Sequence, residues 1–250
     1  MKTILWIMLT AIFSVDGCTQ NKKPQETTQD GFVLLELFTS QGCSSCPPAD
    51  ENLSKIINAA MNNGKNIYAL AFHVDYWNRL GWKDPFSSEQ YSARQAMYVN
   101  KMKLRSAYTP QMVVNGEREF VGSDAGAAEE AIQHFLNTKY KHSIILGSAA
   151  TTDGIIESFP YHIEGELSGT QLYAAIVESD KITEVKKGEN KDKTLRNDNV
   201  VVWLGSFDPK PSGNVLLPKE FTKGKPNTDV VIFLQDTTSG KVLAAQSIRL

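Results

Sequence analysis

The sequence predicts two parts, an α/β domain over residues 31–141 followed by an all-β, sandwich-like domain over residues 142–250. In the first part, two continuous apolar runs flank a helical pattern, which is typical of parallel strands joined by a helix. Helical periodicity ends near Lys141. Beyond it, short strand patterns alternate with Gly, Pro, Asn and Asp breaks, as in antiparallel sandwiches. These observations set the boundary near residue 142.

The composition excludes some classes of function. Hydrophobic residues make up 41% of the 250 residues and charged residues 22%, so the chain can bury a sizeable core. The net charge of −2 gives no general attraction for nucleic acid or acidic membranes. No nucleic-acid partner is therefore expected.

The first 18 residues have the pattern of an export signal. Lys2 precedes an uncharged, mostly apolar stretch over residues 3–15, which is too short to span a bilayer but suits a signal-peptide core. Gly17-Cys18 after this core resembles the bacterial lipoprotein signal, which implies lipidation of Cys18. Because Asp16 departs from that signal, two alternatives stay open: cleavage elsewhere to give a soluble protein, or an uncleaved anchor.

Residues 19–30 are rich in Gln, Thr and Lys and predict a flexible tether. The expected location is the bacterial cell envelope, facing the periplasm or the exterior, with a lipid anchor in the membrane.

The α/β part is predicted element by element. A buried strand over Phe32–Thr39 leads to Cys43, and Pro47 and Pro48 suit the first turn of a helix that ends near Gly64. A second buried strand lies within Lys65–His73. Three further features follow: an aromatic-rich insertion with a helix (75–105), a hairpin with a type I′ Asn-Gly turn (111–121), and a helix capped by Asp124 (125–141).

The second part is predicted to consist of strands. Lys186–Arg196 is basic but rich in Gly and Asn, and is interpreted as a solvated loop, with contact to a partner as the alternative. The predicted strands cover residues 143–146, 155–163, 171–178, 199–204, 229–235 and 242–248.

Cys43 and Cys46 form the pattern that most clearly indicates chemistry. If Cys18 carries lipid, they are the remaining cysteines, and they lie where a helix begins. Free N–H groups and the helix dipole favour a thiolate at Cys43, which is the predicted nucleophile. Cys46 lies one turn on and can resolve a mixed disulfide.

The order strand, Cys-Ser-Ser-Cys, helix, strand, Thr109-Pro110, hairpin and helix resembles the thioredoxin fold over residues 31–141. The resemblance implies an α/β thioredoxin-like domain in which Pro110 matches the cis-proline beside the cysteines, and Thr109 and Pro110 dock the substrate. It also implies that Glu36 is a buried acid that exchanges a proton with Cys46, although its register is one residue off; a solvated edge Glu is the alternative. Residues 38–50 and 73–77 further resemble a family of secreted thioredoxin-like proteins of unknown function.

The residues after the second strand support other hypotheses. Cys43, Cys46 and His73 offer the thiolates and imidazole that suit copper(I) or zinc. Alternatively, His73 and Asp75 hydrogen-bond to fix the insertion. Trp77 and Trp82 are interpreted either as core residues or, with their neighbours Arg79, Lys83 and Asp84, as part of a wall that faces the substrate.

The function favoured by these patterns is an exported thiol–disulfide oxidoreductase that acts on cysteines or disulfides of other envelope proteins, without a cofactor. Two alternatives stay open. One is a soft-metal-binding module, and the other is a non-catalytic scaffold in which residues 142–250 contact a partner.

Overall fold

The computed structural model describes residues 30–152, 155–221 and 227–250. The predicted signal segment, Cys18 and the tether up to residue 29 lie outside the described residues. No helix in the described part of the chain is long and apolar enough to cross a membrane.

The elements of the first part form where they were predicted, except that the third helix ends at Leu136 and not at Lys141. Pro47 begins the first helix and Gly64, with a φ of 59°, ends it, while the Asp124 carboxylate accepts a hydrogen bond from Ala127 N–H at the start of the third helix. Asn115 and Gly116 both have positive φ, as the predicted type I′ turn requires. The elements are β1 (Val33–Thr39), α1 (Pro47–Asn63), β2 (Ile67–His73), a 3-10 helix (Asn78–Leu80), α2 (Glu89–Lys101), β3 (Gln111–Val114), β4 (Arg118–Val121) and α3 (Ala125–Leu136).

The second part is built from strands, as predicted, with one short 3-10 helix (Lys219–Phe221) among its described residues. The strands are β5 (Ser143–Leu146), β6 (Ala150–Thr152), β7 (Ile155–Glu164), β8 (Thr170–Glu178), β9 (Lys181–Glu184), β10 (Thr194–Asn197), β11 (Val200–Phe207), β12 (Ser212–Leu216), β13 (Thr228–Asp236) and β14 (Val242–Arg249).

The predicted fold class, an α/β thioredoxin-like domain followed by a separate all-β sandwich-like domain, is wrong. A single mixed sheet of eight strands, in the order β14-β13-β8-β11-β2-β1-β3-β4, takes four strands from each part. The two parts join where β11 pairs with β2 in parallel, with Val200 opposite Ala71, and Ala71 N–H donates to Asn199 O at 2.8 Å. The boundary near residue 142 stays a prediction, but the sheet is continuous across it.

Burial on both faces explains why strands from the second part extend this sheet. In β13, Val231 and Phe233 belong to the core shared with β1 and β2, while Val230 and Ile232 face a second core against β5, β7 and β12. The sequence of a strand covered on both faces is a continuous apolar run. Sequence patterns do not distinguish such a run from a strand of a separate sandwich.

Candidate functional site

The cysteine pair lies at the carboxyl end of β1, where the chain turns into α1. Cys43 and Cys46 are within disulfide-bonding distance, with Cα atoms 5.5 Å apart, which is an ordinary separation for a disulfide. Both residues are 0% exposed, whereas Ser44 and Ser45 between them are exposed. The motif is therefore presented to solvent through its serines.

Thr109 connects the pair to the insertion. Its Oγ1 lies 3.3 Å from Cys43 Sγ and 2.8 Å from the indole Nε1 of Trp77. Because an indole N–H can only donate, the Thr109 hydroxyl accepts from Trp77 and is left to donate towards the sulfur. Ser45 Oγ lies 3.3 Å from the same sulfur. The structure thus brings Thr109 and Trp77 to Cys43, and the Thr109–Pro110 bond is cis.

A loop from the second part of the chain also contacts the motif. Asn190 Nδ2 donates to the carbonyl oxygens of Gln41 and Cys43, at 2.9 and 2.8 Å, and Asn190 is 0% exposed. The Glu189 carboxylate accepts from Ser44 N–H at 2.9 Å. Lys186–Arg196 is therefore not simply a solvated loop, because its centre is anchored on the residues around Cys43.

A buried ion pair lies at the end of β2. His73 Nδ1 is 2.7 Å from Asp84 Oδ2, and both side chains are 0% exposed. The Asp84 carboxylate also accepts from the N–H groups of Gln41, at 2.8 Å, and Phe86, at 3.0 Å. Burial disfavours the charged forms of both side chains. The attraction between the two charges and these hydrogen bonds together have a larger effect than burial, so the pKa of His73 is raised and that of Asp84 is lowered.

Asp50 completes this buried cluster from α1. Burial raises its pKa to about 7, although the positive charge of His73 and the nearby Thr39 side chain act in the opposite direction. Thr39 lies opposite His73 in the β1–β2 register. Thr39 Oγ1 and His73 Nε2 are buried without a hydrogen bond of good geometry. A proton-binding carboxyl group therefore lies one helical turn after Cys46, and Asp50 N–H donates to Cys46 O at 3.1 Å.

Glu36 lies on the opposite face of the sheet. Its carboxylate binds the Arg94 guanidinium, at 2.5 and 3.0 Å, and the Tyr98 hydroxyl, both from α2. Leu37, the next residue of β1, instead faces Gly122 and lies on the side of α1. Since neighbouring residues of a strand point to opposite faces, the one-residue offset in register directs Glu36 away from the cysteines.

The structure shows how Asp75 fixes the insertion, whereas the wall that faces the substrate stays a prediction. Asp75 binds Ser92, through its carboxylate and its N–H, and so fixes the insertion to α2. Trp82 Nε1 donates to Gln41 Oε1 at 3.3 Å, next to the motif. Arg79 and Lys83 are exposed.

Two of the site's buried residues, Asp50 and Asn190, are not among the site residues that the sequence patterns predict. The position of Asp50, four residues after Cys46 on a helix, is a signal that could have identified it, because such residues share a helix face. Asn190 lies within a Lys-rich stretch that carries no comparable signal.

The soft-metal alternative finds no support in the geometry. Across residues 30–152, 155–221 and 227–250, no three His, Cys, Asp or Glu side chains are grouped so that they could hold a metal ion.

Solved structures include similar chains. A crystal structure of an Agrobacterium tumefaciens protein is 27% identical, covers 88% of this chain and 95% of its own, and superposes with a TM-score of 0.64. HBP35 of Porphyromonas gingivalis is 15% identical, covers 88% of this chain and 76% of its own, with a TM-score of 0.61, and shows a shared fold alone. No curated protein matches the sequence. The model of a family described as "protein of unknown function (DUF1223)" matches residues 34–235, and the chain belongs to that family.

Proposed function

We propose that this protein is a thiol–disulfide oxidoreductase in which Cys43 exchanges with a partner's sulfur and Cys46 resolves the mixed disulfide. The observation that carries the proposal is the arrangement at Cys43 Sγ. The Thr109 hydroxyl, oriented by Trp77, lies 3.3 Å from this sulfur, and the sulfur lies at the start of α1. A hydroxyl donor and a helix N-terminus both stabilise a thiolate.

In the direction that oxidises the partner, the exchange starts from the disulfide form of the protein. A partner thiol loses its proton, its thiolate attacks Cys43 Sγ, the Cys43–Cys46 bond breaks, and Cys46 leaves with the electron pair and takes up a proton. A second partner thiol loses its proton and attacks the partner's sulfur in the mixed disulfide, releasing Cys43 as a thiolate. The partner gains a disulfide and loses two electrons and two protons, and the same steps in reverse reduce a partner disulfide.

Asp50 is the group placed to handle the proton of Cys46. Cys46 has helical backbone angles, with φ −76° and ψ −37°, so its side chain and that of Asp50, one turn later, share a face of α1. A carboxyl group with a pKa of about 7 can release and accept a proton at neutral pH. His73 and Asp84 act as positioning residues, because their ion pair fixes the charges around Asp50.

Access to Cys43 requires a local displacement. The residue is 0% exposed in the disulfide form. Ser44 and Ser45 of the motif and Glu189 of its covering loop are exposed, so a partner meets these groups before it reaches Cys43.

The exchange assay uses the full-length chain carrying Cys18→Ser. The native chain has three cysteines, so this variant keeps only Cys43 and Cys46. Reduced protein is mixed with a disulfide-linked peptide pair. We expect rapid peptide release with the intact pair, no release after Cys43→Ser, and a stable mixed disulfide at Cys43 after Cys46→Ser. Absence of exchange with the pair intact would contradict the proposal.

We further propose that the exchange takes place in the bacterial cell envelope on cysteines of other envelope proteins. The support is the apolar stretch over residues 3–15 followed by Gly17-Cys18. The test is fractionation of cells that produce the native chain or Cys18→Ala. The native chain is expected with the membranes, and the variant is expected to lose lipid labelling; a native chain without lipid would overturn the anchor.

A further inference from the structure

Two loops border the cysteine motif and carry an excess of positive charge. Asn190 and Glu189 of the loop between β9 and β10 bind the backbone of Gln41, Cys43 and Ser44. The insertion loop lies beside them, since a Cβ at Gly188 would be 3.2 Å from Trp82 Cβ. The exposed cations of these two loops are Arg79, Lys83, Lys186, Lys187, Lys191 and Lys193.

The negative charges on the same loops are fewer. They are the exposed carboxylates Glu184, Glu189 and Asp192, while Asp84 is buried and paired with His73. Glu184 pairs with Lys186, and Glu189 is occupied by Ser44 N–H. The rim of the motif is therefore net cationic on a protein whose net charge is −2. Such a local reversal of sign attracts anionic partners and raises their rate of encounter.

Glu189 shows that an exposed backbone N–H of the motif binds a carboxylate. Its carboxylate lies 2.9 Å from Ser44 N, the first peptide nitrogen after Cys43, and the side chain is solvent-exposed. An exposed hydrogen bond of this kind contributes little net free energy, because water can replace it. A carboxylate from a partner can therefore take the place of Glu189.

From these two observations we infer that the rim formed by residues 79–83 and 184–193 is a docking surface for an acidic segment of a partner protein. In that segment a carboxylate next to the reactive cysteine displaces Glu189 from Ser44 N–H. This inference rests on the proposed function and specifies its substrate class, which is a disulfide or dithiol flanked by Asp or Glu.

The test compares two disulfide-linked peptides of identical sequence except that the residues flanking the cysteine are Asp in one and Lys in the other. With the full-length Cys18→Ser protein at low salt, we expect the Asp peptide to exchange about tenfold faster than the Lys peptide. At about 1 M salt, where the screening length falls to about 3 Å, the two rates should converge.

Charge reversal on the rim should change this preference. Lys83→Glu with Lys187→Glu should abolish or invert the ratio of the two rates. A matched control, Lys65→Glu with Lys210→Glu, makes the same change of net charge at exposed lysines outside the rim and should leave the ratio unchanged. Glu189→Gln should accelerate the Asp peptide severalfold, because the group that competes for Ser44 N–H is weakened.

The outcomes separate the two proposals. If neither peptide exchanges, the proposed function fails. Equal rates for both peptides at low salt, or a ratio that is the same in the rim variant and the native protein, would leave the exchange in place and overturn the acidic docking surface. Slower exchange of the Asp peptide after Glu189→Gln would contradict the displacement of Glu189.

Discussion

Trp77 Nε1 lies 2.8 Å from Thr109 Oγ1, and that oxygen lies 3.3 Å from Cys43 Sγ. The indole can only donate, so it fixes the Thr109 hydroxyl as a donor to the sulfur. Residues 77, 109 and 43 come from three separate segments, and this line of contacts links the insertion, the loop before β3 and the cysteine motif.

Replacing Thr109 with Val should raise the pKa of the Cys43 thiol in the reduced protein. Valine keeps the shape of the side chain but removes the donor to the thiolate. A hydrogen bond to a charged group contributes about 1.5–3 kcal/mol, which corresponds to roughly one to two pKa units. The pH dependence of Cys43 alkylation measures this shift.

Trp77→Phe should change the pKa of Cys43 in the same direction but by less, since the hydroxyl remains and only its orientation is released. Ser44→Ala serves as the control within the motif, because this side chain is exposed. An unchanged alkylation profile in Thr109→Val would show that the hydroxyl does not stabilise the thiolate.

Asp50→Asn should slow the step performed by Cys46 and spare the step performed by Cys43. When the reduced protein reacts with Ellman's reagent, the first release reports attack by Cys43 and the second reports attack by Cys46. Loss of a general base costs on the order of a hundredfold, so the second release should slow by about that factor at pH 7. Glu51→Gln is the matched control, since Glu51 is the neighbouring carboxyl group on α1 and is exposed. Equal second rates in Asp50→Asn and the native protein would remove Asp50 from the mechanism.

The same carboxyl group predicts how stability depends on pH. The folded-state pKa of Asp50 is raised from 3.8 to about 7, so its contribution to stability is full below about pH 4 and is lost as pH rises through 7. His73, whose pKa is also raised, acts in the same direction. Between pH 6 and pH 8 the native protein should lose about 1.4 kcal/mol through Asp50, and this part of the loss should be absent in Asp50→Asn. Urea unfolding at the two pH values measures the difference; a native protein that is more stable at pH 8 would contradict this sign.

Arg94→Met should destabilise the fold without a specific effect on exchange. Arg94 is buried, pairs with Glu36, and lies 5.0–5.6 Å from the centres of four aromatic rings. Removing it leaves the Glu36 charge buried and unpaired, at a cost of about 3–5 kcal/mol.

The double variant Glu36→Gln with Arg94→Met should recover part of this stability, because the unpaired charge is gone. Glu36→Gln alone should exchange at the native rate per folded molecule. A large decrease in its rate of attack by Cys46 would instead support the proton-exchange role that the resemblance implies for Glu36.

Asn190→Ala should loosen the loop that covers the motif. Two carbonyl oxygens, of Gln41 and Cys43, would lose their donor, at a cost of about 1–3 kcal/mol. Reduction of the disulfide by dithiothreitol should then be severalfold faster, and Lys191→Ala, next in sequence and exposed, should have no such effect. Equal reduction rates in Asn190→Ala and the native protein would show that the loop does not limit access.

Local features of this fold could be predicted because their signals are local. The apolar run before Cys43, Pro47 and Pro48 at the start of α1, and the Asn115-Gly116 turn each act within a few residues. The pairing of β2 with β11 joins residues about 130 positions apart. Neither strand carries a pattern that selects the other, because both are apolar on both faces. The fold class therefore could not be obtained from the sequence.

The residues of the candidate site also differ in whether a local signal predicts them. The cysteine motif and the order of elements predict four site residues, and the structure brings them together: Cys43, Cys46, Thr109 and Trp77. The position of Glu36 depends on register, where one residue changes the face of the sheet. Asn190 reaches the motif only because β9 and β10 project its loop there, which depends on long-range packing.

A redox titration of the full-length Cys18→Ser protein in glutathione buffers tests most directly whether Cys43 and Cys46 are a working redox pair. We expect one reversible two-electron transition, with a potential between about −270 and −120 mV, the range spanned by thioredoxin and the oxidant DsbA. A pair that stays oxidised at far lower potentials, or that never forms its disulfide, would contradict the account.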